Sequence, residues 1–310
     1  MKQRMSRREF WGALGAGAVG LGFSRRASWA VEQGPRETVR IAFFTDVHAR
    51  VEWETPVAME LAADLINRQA ADLIIGGGDY ITDGLTSSRA AVDHRWKAFR
   101  AHLLDKLRQP PILAIGNHDC VGLRPQDGGP PESDPRAAFR EELAVRETNF
   151  VVEAGDCRII IIDSVDLTGD DLHYRGYVAP ERIAWIREVV ERTPEDRPIV
   201  LVTHMPLLTT FFQATEGGEA SARRNRIVVN AHEVIHAFEN RPLPLVLQGH
   251  LHVDEIVRWR GTTFITGGAV CGRWWRGPWM GTEPGFGVVT LRRTRVDWEY
   301  IPLGWKPRRV

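Results

Sequence analysis

The chain has 310 residues, 43% of them hydrophobic and 26% charged, with 40 basic and 40 acidic side chains. That length and composition support one large core or two smaller ones without covalent staples, and exclude a disordered or fibrous chain. A formal charge of zero excludes the general electrostatic pull on nucleic acid that a strongly basic chain has.

Residues 1–30 do not read as part of the fold. Lys2, Arg4, Arg7 and Arg8 make a positive start, and Gly12 to Phe23 is weakly apolar and rich in Gly and Ala. Ser28-Trp29-Ala30 then gives a small-x-small cleavage pattern. This is the layout of a signal peptide, and the paired Arg7-Arg8 before the apolar stretch fits the twin-arginine type. A membrane span needs about 20 apolar residues, and Gly12–Phe23 falls well short. The expectation is a periplasmic or extracellular protein that passes through the twin-arginine export machinery and has no stable membrane span after cleavage. An uncleaved leader kept as an anchor is the competing reading. The leader holds six of the basic residues and one of the acidic ones, so the remaining chain carries a net charge of −5. No nucleic-acid partner is expected from that charge. Ala222 to Arg226 is a local basic cluster, most simply solvated surface.

From residue 36 to 310 the pattern is that of a single domain. Val39–Thr45 reads as a strand, Pro56–Gln69 as a helix, Leu73–Gly76 as a strand and Ser87–Arg108 as a long helix. Ile112–Ile115 is a third strand. This alternation predicts a parallel sheet of α/β type. A helix from Pro135 to about Val145 precedes two strands, Phe150–Glu153 and Arg158–Asp163. Pro180–Arg192 is a helix with Pro in its first turn. Ile199–Thr203 is a strand, Asn230–Glu239 a helix with Asn230 as its cap, and Leu245–Gln248 another strand. Short strands follow at Glu255–Trp259, Thr263–Thr266, Phe286–Leu291 and Val296–Tyr300. The expected fold class is α/β, with two mixed sheets packed face to face and flanked by helices. Pro125–Pro135 and Thr215–Ala222 read as loops. Cys120, Cys157 and Cys271 show no metal spacing and read as buried thiols.

The chemistry gathers at strand ends, where open α/β sheets form their sites. The first strand delivers Asp46-x-His48, the second Gly77-Gly78-Asp79, and the third Gly116-Asn117-His118-Asp119. The strand at Ile199 delivers His204, and the strand at Leu245 delivers Gly249-His250-Leu251-His252. In extended chain, residues i and i+2 face the same way, so each Asp-x-His or His-x-His pair is expected to aim at one cavity. The preceding glycines are expected to allow sharp turns. Oxygen and imidazole donors without thiolate suit manganese, iron or zinc. Asp46, His48, Asp79, Asn117, His204, His250 and His252 are too many for one ion, and fit two ions sharing a carboxylate.

These five blocks, in this order over residues 46–252, resemble the calcineurin-like metallophosphoesterase family. The resemblance implies that family's four-layer sandwich, and two divalent or mixed-valence metal ions. It implies that Asp46, His48 and His252 hold one ion and that Asn117, His204 and His250 hold the other, with Asp79 between them. It gives His118 the part of general acid at the leaving group and Asp119 the part of orienting that imidazole. The implied activity is that of a metal-dependent phosphatase or phosphodiesterase. Its substrate would be a small-molecule phosphate mono- or diester, hydrolysed by attack of a metal-bound hydroxide.

Purple acid phosphatases resemble this set but carry a tyrosine three residues after the shared aspartate, where this chain has Thr82. They also carry glycine where His48 stands. The Asp-x-His form is more similar to the cyclic-nucleotide phosphodiesterase branch and to broad bacterial phosphohydrolases, so a cyclic-nucleotide phosphodiesterase is the alternative within this class. A non-catalytic metal- or phosphate-binding module is the alternative outside it, and would require missing ligands. For the substrate, Arg273, Trp274 and Trp275 are candidates, because aromatic planes beside arginine suit a base, sugar or headgroup ester. Packing of the C-terminal strands is the competing role for that segment. His173 is a further candidate.

Overall fold

A computed structural model describes residues 38–154 and 157–307. The leader and its cleavage pattern lie outside these residues. The first sheet contains β1 (Val39–Phe44), β2 (Leu73–Gly76), β3 (Ile112–Leu113), β12 (Gly285–Arg292) and β13 (Arg295–Pro302). Their order is β13-β12-β1-β2-β3, with β1, β2 and β3 parallel and the two C-terminal strands antiparallel. The second sheet contains β4 (Phe150–Ala154), β5 (Cys157–Ile162), β8 (Ile199–Thr203), β9 (Leu245–Gln248), β10 (Glu255–Trp259) and β11 (Thr262–Thr266). Its order is β10-β11-β9-β8-β5-β4, parallel through β11, β9, β8 and β5 with an antiparallel strand at each edge. Both sheets are mixed, as the expected fold class has it; the alternation of strands and helices accounts for the parallel strands alone.

The two faces of each strand explain the layering. Ile41 and Phe43 of β1 belong to one buried cluster with Ile159 and Ile161 of β5, Val200 and Val202 of β8, and Leu245 and Leu247 of β9. That cluster is the seam between the sheets. The alternate residues Ala42 and Phe44 belong to a second cluster that includes the helix residues Ala58, Met59, Ala62 and Trp96. The central strands are therefore buried on both faces, which is why they read as near-continuous apolar runs, whereas the edge strands β10 and β13 are partly exposed. Helices α1 (Thr55–Arg68), α2 (Arg89–His102), α3 (Ala137–Leu143), α4 (Pro180–Glu191), α5 (Phe211–Glu216) and α6 (Ala231–His236) supply the outer layers.

Several local expectations change. The long helix from Ser87 stops at His102, because Leu103 leaves helical geometry (φ −125°, ψ −61°) and a separate 3-10 turn follows at Leu104–Lys106. Ser88 caps its start by accepting from the Ala91 amide at 3.3 Å. Asn230 does not cap α6 with its side chain. It accepts from the Val178 amide at 3.1 Å and donates to the Val178 carbonyl at 2.8 Å, which ties α6 to the chain entering α4. A small hairpin, β6 (Val165–Leu167) with β7 (Tyr174–Gly176), was not expected. Helix α5 takes the start of the expected loop at Thr215. Cys120, Cys157 and Cys271 are buried, as expected. No helix of the described residues is long and apolar enough to cross a membrane.

Phe43 fills the seam under the functional end of β1 and is 1% exposed. Its ring occupies the space beside Gly77 and Gly267, where an added Cβ would come within 2.7 Å of it. Phe43→Ala is expected to cost about 3–5 kcal/mol of stability, the range for a buried aromatic truncated to alanine. Denaturant unfolding of the two proteins checks it.

Candidate metal centre

The carboxyl ends of β1, β2, β8 and β9 and the turn after β3 converge. Asp46, His48, Asp79, Asn117, His204, His250 and His252 meet there, none more than 6% exposed. The route differs from the extended geometry expected for the pairs. Asp46 (φ 53°), His48 (φ 44°), Asp79 (φ 56°), His250 (φ 72°) and His252 (φ 60°) all take the left-handed conformation. Each such residue costs on the order of 1–3 kcal/mol and persists only where its surroundings enforce it. Here the backbone does so: the Asp46 amide donates to Gly78 O (2.9 Å), the His48 amide to Asp79 O (3.0 Å) and the Gly249 amide to His204 O (2.8 Å). Of the expected turn glycines, Gly78 has a positive φ (103°). Gly116 has φ −107° and is needed for space instead. A Cβ on it would lie 2.2 Å from Asp79 Oδ1.

Three backbone carbonyls fix the imidazoles. Nδ1 of His204 donates to Gly77 O (2.8 Å), Nε2 of His250 to Asn225 O (2.9 Å) and Nδ1 of His252 to Gly272 O (2.7 Å). In a neutral ring each of these bonds sets the tautomer and leaves the other nitrogen as a lone pair. Those nitrogens and the two carboxylates crowd together. His204 Nε2 lies 3.1 Å from Asp79 Oδ2, and His48 Nε2 lies 3.8 Å from the same oxygen. His252 Nε2 lies 3.2 Å from Asp46 Oδ1 and 3.1 Å from His48 Nε2.

A cation fits this arrangement. Asp46 Oδ1, Asn117 Oδ1 and His204 Nε2 are buried without a hydrogen-bond partner. Each unpaired buried polar atom costs about 1–3 kcal/mol, and a metal ion takes up such lone pairs. Burial holds His48 well below the usual imidazole pKa and brings His250 down to about 3, so both are neutral donors. Burial opposes charge on Asp46 and Asp79 too, yet His252 beside Asp46 and His204 beside Asp79 keep both carboxyls lowered. Burial likewise opposes the proton on His204, but Asp79 raises its pKa to about 9. That proton stands where a metal ion would compete for the lone pair. Three sets of side chains bring donor atoms within 4.8 Å of one another: His48, Asp79 and His118; Asp79, His204 and His250; and His48, His252 and Cys271. Asp79 belongs to two of them.

His118 and Asp119 separate in role. The His118 side chain is 24% exposed, and its ring meets His48 edge-on at 4.8 Å. The Asp83 amide donates to His118 Nδ1 at 2.9 Å, so the neutral ring carries its proton on Nε2. Asp119 does not orient this imidazole, as the resemblance had implied. Its carboxylate accepts from the amides of Asp79 (2.8 Å), Tyr80 (2.7 Å), Ile81 (3.3 Å) and Gly116 (2.9 Å). Two oxygens occupied by four amides have nothing left for a side chain, and Asp119 instead shapes the turns that carry Asp79 and Asn117. Burial and the Asp79 carboxylate push its pKa up to about 8, against those amide donors. Tyr80 points away from the centre, donating to Ala114 O at 2.9 Å and stacking on Phe99.

The substrate candidates also divide. Trp275 is fully buried, donates to His48 O at 3.0 Å and packs edge-on against Trp305, so it is a structural anchor rather than a substrate contact. Trp274 is partly exposed, with its ring 4.7 Å from His252 and 6.0 Å from His48. Arg273 is exposed, its guanidinium 5.4 Å from the Trp279 ring. His173 sits in the tight β6–β7 turn with φ 66°, and its Nδ1 is buried without a partner. It belongs to none of the three donor sets. In the basic cluster, Arg224 pairs with Asp170, while Asn225 holds His250 through its carbonyl. Sequence reasoning missed Cys271, whose Sγ lies 3.8 Å from His252 Nδ1. It also missed Asp83 and the three carbonyl acceptors. A backbone contact leaves no residue-type signal, and Cys271 stands at no ligand spacing.

A search of curated proteins returns no match. Among solved structures, a dimetal phosphatase from Danio rerio superposes with a TM-score of 0.58 at 14% identity, covering 86% of this chain and 99% of that one. A purple acid phosphatase from yellow lupin gives 0.56 at 14%, covering 86% of this chain and 52% of that one. GAP50 of Plasmodium, described as the anchor in the inner membrane complex, gives 0.53 at 12%, covering 86% and 85%. At these identities the likeness is one of fold. The sequence itself matches the family described as calcineurin-like phosphoesterase over residues 39–254. With that match, the two mixed sheets and the buried donor cluster at their strand ends, the chain belongs to the calcineurin-like phosphoesterase family and is a metal-dependent phosphoric ester hydrolase.

Proposed function

We propose that the protein hydrolyses a small-molecule phosphate mono- or diester at a centre of two metal ions that share Asp79. The observation that carries this reading is the position of the Asp79 carboxylate. Its Oδ2 lies 3.1 Å from His204 Nε2 on one side and 3.8 Å from His48 Nε2 on the other. Asp46, His48 and His252 would hold the first ion, and Asn117, His204 and His250 the second. When bound, the ions supply the positive charge that polarises the phosphoryl group and activates water.

The chain's own groups do the rest. The carbonyls of Gly77, Asn225 and Gly272 hold three imidazoles in the tautomers that present lone pairs inward. Asp119 fixes the Asp79 and Gly116 amides, so the two turns keep their spacing. Trp275 and the left-handed loop around it close the side of His48 and keep water from its backbone. His118, at the edge of the centre and partly exposed, presents its Nε2 proton to the leaving oxygen. The Asp83 amide on Nδ1 keeps the ring in that orientation.

We also propose that residues 1–30 direct export by the twin-arginine route, on the pattern of Arg7-Arg8, the weakly apolar stretch and Ser28-Trp29-Ala30. Replacing Arg7 and Arg8 by Lys is expected to leave the precursor in the cytoplasm, read by fractionation. Unchanged export would point to the general secretion route instead.

Removal of Asp79 tests the shared carboxylate. Asp79→Ala is expected to lose both ions and all hydrolysis while melting as a folded protein. Metal analysis that finds both ions retained would defeat the assignment. His118→Asn is expected to keep both ions and lose turnover by roughly 10²–10⁴-fold, the usual worth of a proton donor. The loss should be least for p-nitrophenyl esters, whose leaving group needs no proton, and greatest for alkyl esters. Equal losses for both would mean that His118 steadies the phosphoryl oxygens.

A further inference from the structure

The loop Ala269–Trp279 is strapped to the strand end that carries the donors. Val270 donates to Thr45 O (3.0 Å) and Cys271 to Asp46 O (3.2 Å), while His252 donates to Gly272 O at 2.7 Å. The Trp275 indole closes the strap on His48 O at 3.0 Å. Within it, Trp274 (φ 47°) and Trp275 (φ 63°) are consecutive left-handed residues, a conformation that bulky side chains adopt only when held there. The turn is held by Trp275 N donating to Cys271 O (2.7 Å) and Arg273 N to Gly277 O (2.8 Å). Its effect is to send the two indoles to opposite destinations. Trp275 goes into the core. Trp274 stays partly exposed, lies over the rings of His252 and His48, and makes no hydrogen bond with any described residue. Packing alone explains Trp275 and leaves Trp274 without a reason to stand at the mouth of the centre.

The surroundings of Trp274 are planar and cationic. Trp279 meets it edge-on at 6.4 Å, with the Arg273 guanidinium 5.4 Å from the Trp279 ring. Arg276 of the same loop and Arg50, two residues beyond His48, lie 6.0 and 4.7 Å from the Trp53 ring. His118, the proposed donor to the leaving oxygen, and Trp274 share one neighbour at the centre, the His48 ring. Resting on the phosphoesterase reading above, we propose that Trp274 is the specificity-determining wall of the site. It stacks the flat ring of a phosphate ester whose alcohol carries an aromatic or heteroaromatic group, and the arginine-bearing rim accommodates that ester's remaining negative charge. Trp274 acts on the substrate, and Trp275 only places it.

The test separates stacking from leaving-group chemistry by using esters of one alcohol type. Adenosine 5′-monophosphate and ribose 5-phosphate leave through the same kind of primary alkoxide and differ in the ring; their methyl esters form the matched diester pair. Both pairs are assayed with metal-replete protein lacking the leader, as wild type, Trp274→Ala and Trp274→Phe, with metal content measured on each sample. Wild type is expected to favour the ring-bearing ester by about tenfold in kcat/KM, the size of one aromatic contact, chiefly through KM. Trp274→Ala should erase the preference, and Trp274→Phe should keep part of it. A wild type without preference would overturn the proposal. So would an alanine variant that loses both esters equally, since Trp274 would then only support His48 and His252. Failure of metal-replete protein to hydrolyse any ester would sink the phosphoesterase reading, but calorimetry with the same ligands still reads the wall. A binding preference for the ring that Trp274→Ala removes sustains it, and no preference overturns it.

Discussion

The structure depends on two carboxylates, Asp46 and Asp79, buried at 0% and 1% exposure with imidazoles around them. Burying a charge without a partner is among the costliest acts in a protein. Asp46 Oδ2 accepts from the Thr45 hydroxyl (2.7 Å) and the His250 amide (3.0 Å), while its Oδ1 makes no hydrogen bond and faces the His252 imidazole at 3.2 Å. Asp79 accepts the His118 amide on Oδ1 at 2.7 Å and faces two histidines with Oδ2. Each carboxylate thus spends one oxygen on the fold and offers the other to the centre. Both, with His48, His250 and His252, are also left-handed, and that strain the apolar core has to offset. Positive charge at the centre offsets the cost of the buried carboxylates, which is why metal affinity and stability should be linked here.

Most of the scaffold was legible because the central parallel strands are buried on both faces, and β1, β2, β8 and β9 end in chemistry. Leu73–Gly76, Ile199–Thr203 and Leu245–Gln248 have the bounds that their apolar runs indicate. The donors were legible for the same reason: Asp79 and His204 stand where an apolar run stops. Other features are set by contacts distant in sequence. The Asn230 side chain answers to Val178, the three imidazoles answer to carbonyls of Gly77, Asn225 and Gly272, and Asp119 answers to amides some 40 residues away. The left-handed turns at Asp46-x-His48 and His250-x-His252 were hidden by a rule for extended chain that stops applying where the strand stops. The Trp274-Trp275 pair could not be divided by residue type, since the two differ only in which way a strained turn sends them.

Fold and site carry separate kinds of information in this protein. The same architecture superposes on phosphatases and on a protein described as an anchor, at similar scores. What distinguishes a working centre is a complete set of buried donors, each with its tautomer set and its lone pair turned inward. The loop carrying Trp274 and Trp275 is joined to that set by hydrogen bonds at Thr45, Asp46, His48 and His252, so the exposed Trp274 face is positioned by the donor cluster itself.

The central claim is that Asp79 lies between two cations. Crystals of the protein without its leader, grown with manganese and recorded at an anomalous wavelength, test it directly. The account predicts two anomalous peaks, one within coordination distance of Asp46, His48 and His252, the other of Asn117, His204 and His250, with the Asp79 carboxylate reaching both. A single peak in a fully active crystal preparation, or two peaks of which only one touches Asp79, would contradict it.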